Sequence, residues 1–558
     1  MAIVETKIPE LKKFAGHDAA KMNGEQLAHA ISMMGLPVDK HDSETVFTEV
    51  SPNRPDCYSV EGLGRALQSF LGTKPGLREY SALPAKISLK VEQSAKSASR
   101  PVIAAAVARN VKMDGDLVKS LMQVQEKLHD TLGRKRRKVA IGVYDLSKLS
   151  PPFTYKAVKP KDAKFVPLDT KIEMDLEEIL LEHPKGVGYA KLLEGEKTYP
   201  LIVDSTGQVL SFPPIINGQS SRVTEQTRDL FIESTGTSLG AQSDALNILC
   251  CMLADHGAKI EQVEITGSEK ITTPDLSARK AETSVAAIEK LLGISVSAKD
   301  ACLLFEKMGY DAKADAKGGI SLRAPCYRND LLHEVDLIED VGIAYGFEKL
   351  HGTGMRFSTI GEKHPKEAFV DKVRAIMIGL GFQDCITFML TNENREYKKM
   401  LCREEPRVEI ANPLTEETTM LRSTLLPSLI GVLENNKGQK YPQKMFEAGE
   451  VLVLDAKSET GARTVKKLCV VACHKDANLA EMKSALEALF RELGERLEIS
   501  QGLDDQKPFF IEGRSAGIKA QSSKGAKYSG FFGEIHPQVL ENFGLLMPVA
   551  ALEIWLED

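Results

Sequence analysis

The chain has nine cysteines in 558 residues, but no CxxC pair and no cysteine–histidine cluster at zinc spacing. That odd, scattered set excludes a disulfide framework and points to a reducing compartment. No apolar run approaches the roughly 18 residues needed to cross a bilayer, and the opening MAIVETKIPELKKFAG lacks the apolar core of a secretion signal. Nor is there a P-loop or other glycine-rich phosphate turn, so no ATP site is legible. Ser/His/Asp and Cys/His constellations are also missing, which argues against a covalent hydrolytic intermediate. A net charge of −6 excludes a chain that coats nucleic acid indiscriminately. The expectation is a soluble cytoplasmic protein with no membrane partner.

With 42% hydrophobic and 27% charged residues, the composition is that of an ordinary globular chain of several domains. One spacing occurs twice: Gly35, Arg54, Asp56 and Gly72 recur as Gly309, Arg328, Asp330 and Gly346, every pair 274 positions apart. A small module is therefore duplicated. The copies differ after the Arg-x-Asp, where the second has Asp336, Glu339 and Asp340 and the first has Gly62, Arg65 and Ala66. A fold requirement belongs in both copies, so the added acids suggest an added task. At i, i+3 and i+4 they share a helix face, with Asp330 about where an N-cap belongs. Carboxylates alone suit Mg²⁺ or Ca²⁺. The alternative is a solvated acidic face opposite Leu331, Val335, Ile338 and Tyr345.

Apolar periodicity and turn signals divide the chain into 1–85, 90–268, 271–352 and 360–558. The first segment predicts a helix over 25–34, short strands near 36–39 and 46–50, and a helix over 57–71. In the third, Thr283 and Ser297 are the expected caps, ahead of a hairpin around Lys317-Gly318-Gly319. Two short helices and a hairpin make a winged-helix outline in each copy. The second segment alternates strands (139–144, 199–204, 229–233) with helices near 116–132 and 244–256. The last has a helix carrying Val370, Val373, Met377 and Leu380, strands at 384–390, 407–411 and 445–454, and a helix over 425–435. Residues 109–164 carry 14 Lys or Arg against 6 Asp or Glu. Within them, Arg134 to Lys138 read either as a basic helix C-terminus or as an RNA phosphate contact.

Six stretches together resemble the β-subunit family of phenylalanyl-tRNA synthetase, of the archaeal and eukaryotic cytosolic type, along essentially the whole chain. They are Asn53-Arg-Pro-Asp56, Phe153-Thr-Tyr155, Phe212-Pro-Pro-Ile-Ile-Asn-Gly218, Leu230-Phe-Ile-Glu-Ser-Thr-Gly-Thr237, Arg328-Asn-Asp330 through Tyr345-Gly346, and Phe446-Glu-Ala-Gly449. The resemblance implies a multidomain α+β chain: duplicated winged-helix-like modules, an α/β editing domain, and a class II synthetase-like antiparallel core lacking catalytic arginines. It implies an α-subunit partner in an (αβ)₂ heterotetramer that uses ATP to join phenylalanine to tRNA(Phe).

An editing pocket is implied because an apolar site made for phenylalanine rejects an added hydroxyl only about a hundredfold. The matching segments offer Leu201, Ser211, Glu233 and Thr235. Glu233 would accept the tyrosine hydroxyl, and Thr235 or Ser211 would position water; the alternative places Glu233 on the exposed face of a half-buried strand. The family's Mg²⁺ site, shared with the α subunit, maps onto Asp330, Asp336, Glu339 and Asp340. In the C-terminal core Val453 stands where the second-motif arginine is expected, the last arginine is Arg514, and the closing segment 549–558 has neither glycine nor arginine for a third motif. The bacterial form's oligonucleotide-binding insert and anticodon-binding domain have no counterpart in these residues. Two other readings remain open: a stand-alone tRNA editing hydrolase, and a non-enzymatic nucleic-acid-binding protein.

Overall fold

Both copies of the repeated spacing fold in the same order. The first runs through strand Ala2–Lys7, helices Ile8–Ala15 and Gly24–Met33, hairpin strands Val38–His41 and Thr45–Val50, and helix Val60–Phe70. The second runs through Arg279–Ser284, Val285–Leu292, Ala298–Lys307, Asp311–Ala314, Gly319–Ala324 and Glu334–Tyr345. Each sheet has three strands, with the third in the middle. This computed structural model describes residues 2–96, 99–352, 354–355, 359–500, 507–521 and 527–556. The chain forms two compact units, 1–354 and 355–558.

Local chemistry explains the match. Asn23 accepts from Gln26 N at 2.9 Å and Ser297 from Asp300 N at 3.1 Å, capping equivalent helices. After each helix, Gly35 and Gly309 turn the chain at φ 82° and 88°, where a side chain is strained. Arg54 then grips Asp56 with Nε and one terminal nitrogen, both at 2.9 Å, and Arg328 grips Asp330 identically at 2.8 Å. The repeated Arg-x-Asp is thus a fold element. Three expectations are corrected here. Ser284, not Thr283, caps its helix, because Thr283 Oγ1 instead bonds Glu334. His333, not Asp330, occupies the N-cap of the last helix, since Asp330 is taken by Arg328. That helix does not show its acids on one solvated face: Asp340 is buried and Val335 exposed. The strand and helix over residues 2–15 escaped the sequence reading.

The modules pack against one another about a pseudo-two-fold. A Cβ on Gly35 would lie 3.5 Å from Ile343, and one on Gly309 would lie 3.9 Å from Ser69. Ser69 and Ile343 are themselves repeat equivalents, so the contact is reciprocal, as in an isologous interface.

Between the copies, ten strands form one sheet. Its path runs Ile216–Asn217, Val209–Phe212, Tyr199–Val203, Phe153–Val158, Leu83–Val91, Lys259–Thr266, Val102–Arg109, Leu230–Gly236 and Val139–Asp145, with Lys270–Thr273 paired to Lys259–Thr266. Helices Gly115–Asp130 and Leu239–Asp255 supply Leu117, Leu121, Val124, Leu246 and Leu249 to the core on one face. The sheet curls until its two ends meet, bringing Tyr144 Oη within 3.3 Å of Asn217 Oδ1. The first module docks on both helices: Arg65 bonds Asp255 at 2.7 Å, and Glu61 joins Ser120 at 2.8 Å and His256 at 2.7 Å.

The second unit is a seven-stranded sheet in the order Gln383–Asp384, Gln443–Leu454, Ala462–Cys473, Val549–Trp555, Lys527–Ile535, Phe510–Gln521, Arg496–Ser500. All its pairs are antiparallel except the first. The expected strand over 384–390 is only a two-residue pairing at each end, with Ile386 and Phe388 both 88% exposed between them. At 407–411 a single bridge, Glu409 to Met420, replaces the expected strand. At 384–390 the apolar alternation marks a surface, whereas Val408 and Ile410 are half-buried. Glu557 and Asp558, at the end of the closing segment, lie outside the described residues.

Gly62, on the helix after the Arg-x-Asp, allows that helix to sit on its own entry turn: a Cβ there would lie 1.7 Å from the Asp56 carbonyl oxygen. We expect Gly62→Ala to cost about 3 kcal/mol, the upper end for overpacking. Exposed Gly188, with nothing within 4 Å of a Cβ, should accept alanine without loss. Urea unfolding of both variants checks this.

Candidate active site

The face of strand Leu230–Gly236 that points away from the two covering helices carries Phe231, Glu233 and Thr235. Across the pairing, Glu233 lies opposite Gly142 of strand Val139–Asp145. Glycine is required there, because a Cβ would sit 2.0 Å from the Tyr144 hydroxyl and 2.5 Å from Glu233 Oε1. That opening lets Tyr144 reach over and donate to Glu233 Oε1 at 2.9 Å. Asn217 Oδ1 faces both Tyr144 Oη at 3.3 Å and Ser211 Oγ at 3.2 Å.

Glu233 is only 2% exposed, so it does not lie on an outer strand face. Among the described residues its Oε2 has no hydrogen-bond partner. Burial raises its pKa to about 7, against the opposing pull of the Tyr144 hydroxyl and Arg100. This carboxyl is among the residues lining a cavity of about 320 Å³, whose other walls are partly apolar (Leu121, Ile141, Val143, Pro213, Ile215) and partly charged (Glu126, Arg136, Asp169, Lys185). Such a volume holds an amino-acid side chain with part of a sugar.

Of the four expected pocket residues, Ser211 and Glu233 line this cavity; Leu201 and Thr235 do not. Leu201 is buried with Phe165, Leu176 and Phe212 in an adjacent apolar cluster. Thr235 is fully buried, its hydroxyl unpartnered and its carbonyl accepting from Arg100. Sequence reasoning missed Tyr144, Asn217 and Arg136. The first two come from opposite ends of the sheet path, and nothing in their spacing reveals the closure. Arg136 belongs to the basic run but is buried, donating to the Pro214 and Ile215 carbonyls at 3.2 and 3.1 Å and to Glu126 at 3.0 Å. Residues 134–136 all adopt positive φ, which turns Arg136 inward while Arg134, Lys135 and Arg137 stay exposed.

No nucleophile–base pair faces the cavity. His183 Nδ1 accepts from Lys185 N and its Nε2 faces the Leu168 carbonyl at 3.3 Å; His129 Nε2 accepts from Ile141 N. None of the cavity-lining residues is a cysteine. The walls carry three carboxyls, Glu126, Asp169 and buried Glu233, and the Ser211–Asn217 hydroxyl–amide pair, groups able to position a substrate and a water.

Three family models match the chain: "B3/4 domain" over 115–248, "tRNA synthetase B5 domain" over 281–347, and "Phenylalanyl tRNA synthetase beta chain CLM domain" over 353–556. The phenylalanine–tRNA ligase β subunit of Archaeoglobus fulgidus is 42% identical over 99% of this chain and 98% of its own. That of Methanothrix thermoacetophila is 38% identical over the full length of both. The chain belongs to the phenylalanine–tRNA ligase β-subunit family. A crystal structure of an N-terminal fragment of the Pyrococcus horikoshii β subunit aligns with a TM-score of 0.59 at 35% identity, covering 62% of this chain and 99% of that one. The family is one of aminoacyl-tRNA synthetase subunits, and the cavity lies in the stretch that matches the B3/4 model.

The acid set lies in the stretch that matches the B5 model, and the structure divides it. Arg328 takes both oxygens of Asp330 and also bonds Asp340, which accepts from Tyr310 as well. Asp336 Oδ2 accepts from Leu332 N and His333 N, both at 2.7 Å. Glu339 remains exposed, its pKa raised by partial burial and by Asp340, Asp336 and Asp330. Among the described residues no three His, Cys, Asp or Glu side chains gather as a metal shell. Two acids keep open oxygens, Glu339 and Asp336 through Oδ1. That suits Mg²⁺, which takes one or two carboxylates and keeps much of its water, better than a closed protein cage.

Buried Glu233 is more easily protonated folded than unfolded, so its contribution is present at acid pH and lost as pH rises through about 7. Glu233→Gln should remove a pH-dependent loss of about 3 kcal/mol between about pH 4 and pH 9. Denaturant titrations of parent and variant across that range check the sign.

Proposed function

We propose that the cavity beneath Glu233 hydrolyses tyrosine wrongly esterified to tRNA(Phe), as part of a phenylalanine–tRNA ligase in which an α subunit carries the synthetic site and uses ATP. The observation that carries this reading is the Oε2 of buried Glu233, unpartnered among the described residues, in the lining of a cavity that also has apolar walls. A phenylalanine side chain would bring nothing to that oxygen, leaving a desolvated acceptor unmatched. A tyrosine hydroxyl would donate to it. Discrimination by a polar group that the wrong ligand leaves unpaired is far stronger than discrimination by fit. Ser211 and Asn217 stand as the pair that orients water toward the ester. Exposed Arg134, Lys135 and Arg137 flank the turn that sends Arg136 into the cavity wall, a suitable place for RNA phosphates.

In the C-terminal unit Val453, standing where the second-motif arginine is expected, supports a catalytically silent, class II-like core. Arg422 is buried there, but it is spent on Glu447, Thr387 and the Glu450 carbonyl. Exposed Ile386 and Phe388 support a docking face for the α subunit. The duplicated modules read as winged-helix-like packing units rather than readers of bases. Glu339 and Asp336 are the residues that would hold a Mg²⁺ completed by the partner; such an ion would supply charge neutralisation at the contact.

Glu233→Ala should slow Tyr-tRNA deacylation at least tenfold and leave Phe-tRNA synthesis by the assembled enzyme unchanged. Equal deacylation rates in parent and variant would overturn the reading. For the acids, Asp336→Ala with Glu339→Ala should weaken assembly with the α subunit, and EDTA should weaken only the parent. Removing mutually repelling acids from a merely solvated helix would instead stabilise by a few tenths of a kcal/mol. Sedimentation with and without chelator separates the two.

A further inference from the structure

The interface between the duplicated modules holds a second, partly open cavity of about 20 Å³. That is room for one particle the size of a water molecule or a halide ion. Its walls are cationic: Arg54, Arg65, Lys74, Arg78 and Arg328 line it, with Asp56 the one acid among the lining residues. Four carboxylates serve the four arginines, and exposed Lys74 is the cation in excess. Arg54 has Asp56, Arg65 and Arg78 share Asp255, Arg328 has Asp330 and Asp340, and Lys74 has no ion pair among the described residues. Arg54 and Arg328, which are repeat equivalents, repel one another here. Arg65 is 5% exposed, yet its Nε has no acceptor. The second terminal nitrogen of Arg54 and of Arg328 likewise donates to no protein atom among the described residues.

The repeat shows what is missing. Arg328 has a second carboxylate, Asp340; the equivalent of Asp340 beside Arg54 is Ala66, and Ala66 lines this cavity. We infer that the cavity binds a single monovalent anion of halide size, which serves Arg54 and Arg65 as Asp340 serves Arg328. An ordered water would satisfy donors but would do nothing against the mutual repulsion of Arg54 and Arg328, which an anion between them relieves. Lys74 and Arg78 stand at the cavity rim to attract the ion.

The test is thermal unfolding of the full chain with sodium chloride or bromide replacing sodium glutamate at constant ionic strength, paired with bromide anomalous diffraction. A saturable rise of a few degrees in the midpoint and a bromide peak between Arg54 and Arg328 are expected. Ala66→Asp, which ties the negative charge to the chain, should raise the midpoint in glutamate and abolish the halide effect. A parent midpoint insensitive to halide overturns the inference whether or not that variant folds. So does a bromide peak without any effect on unfolding, an adventitious ion only. A halide effect that persists undiminished in a folded Ala66→Asp variant would place the ion elsewhere and overturn it too.

Discussion

Two buried guanidinium–carboxylate forks, Arg54 with Asp56 and Arg328 with Asp330, fix the geometry of the first unit. A buried charge whose partner is removed costs several kcal/mol, so each arginine holds the turn that presents its aspartate. The helix that follows each fork is set by that turn. In the first copy Gly62 lets the helix close on the turn, and Arg65 and Glu61 on the same helix then engage Asp255, Ser120 and His256. The duplicated frame thereby holds the helices that back the ten-stranded sheet, and the sheet holds the cavity.

The cavity depends on closure of that sheet. Glu233 gains its environment from Tyr144 and Arg100, which lie far from it in sequence, and from the absence of a side chain at Gly142. Burial alone would leave a neutral carboxylic acid. The Tyr144 hydroxyl and the positive charge of Arg100 hold its pKa near neutrality, so that it remains a usable acceptor.

Divergence between the copies follows one rule. Where the second copy has Asp336, Glu339 and Asp340, the first has Gly62, Arg65 and Ala66, and each first-copy residue is used for packing or for docking onto the neighbouring domain. The second copy buries Asp340 against Arg328 and leaves Glu339 facing outward. Spacing groups the four acids because it carries no information about partners; the structure shows in addition that Asp330 is gripped by Arg328 in the duplicated fork.

The duplication, the existence of the long periodic helices, the placement of Glu233 in an apolar strand and the family were all legible in the residues alone, although the helix Leu239–Asp255 starts five residues before the expected 244. These are signals carried by spacing and by local periodicity, which need no knowledge of distant residues. Tertiary structure alone decided that Leu201 and Thr235 are core residues, that Arg136 turns inward, and that residues 384–390 form an exposed apolar segment instead of a strand. It also decided that Tyr144 and Asn217 meet. In each case the outcome depends on which residue from another part of the chain arrives opposite. A strand pattern fixes which side a residue faces but not what it faces, and both the cavity and the fate of its charges depend on the latter.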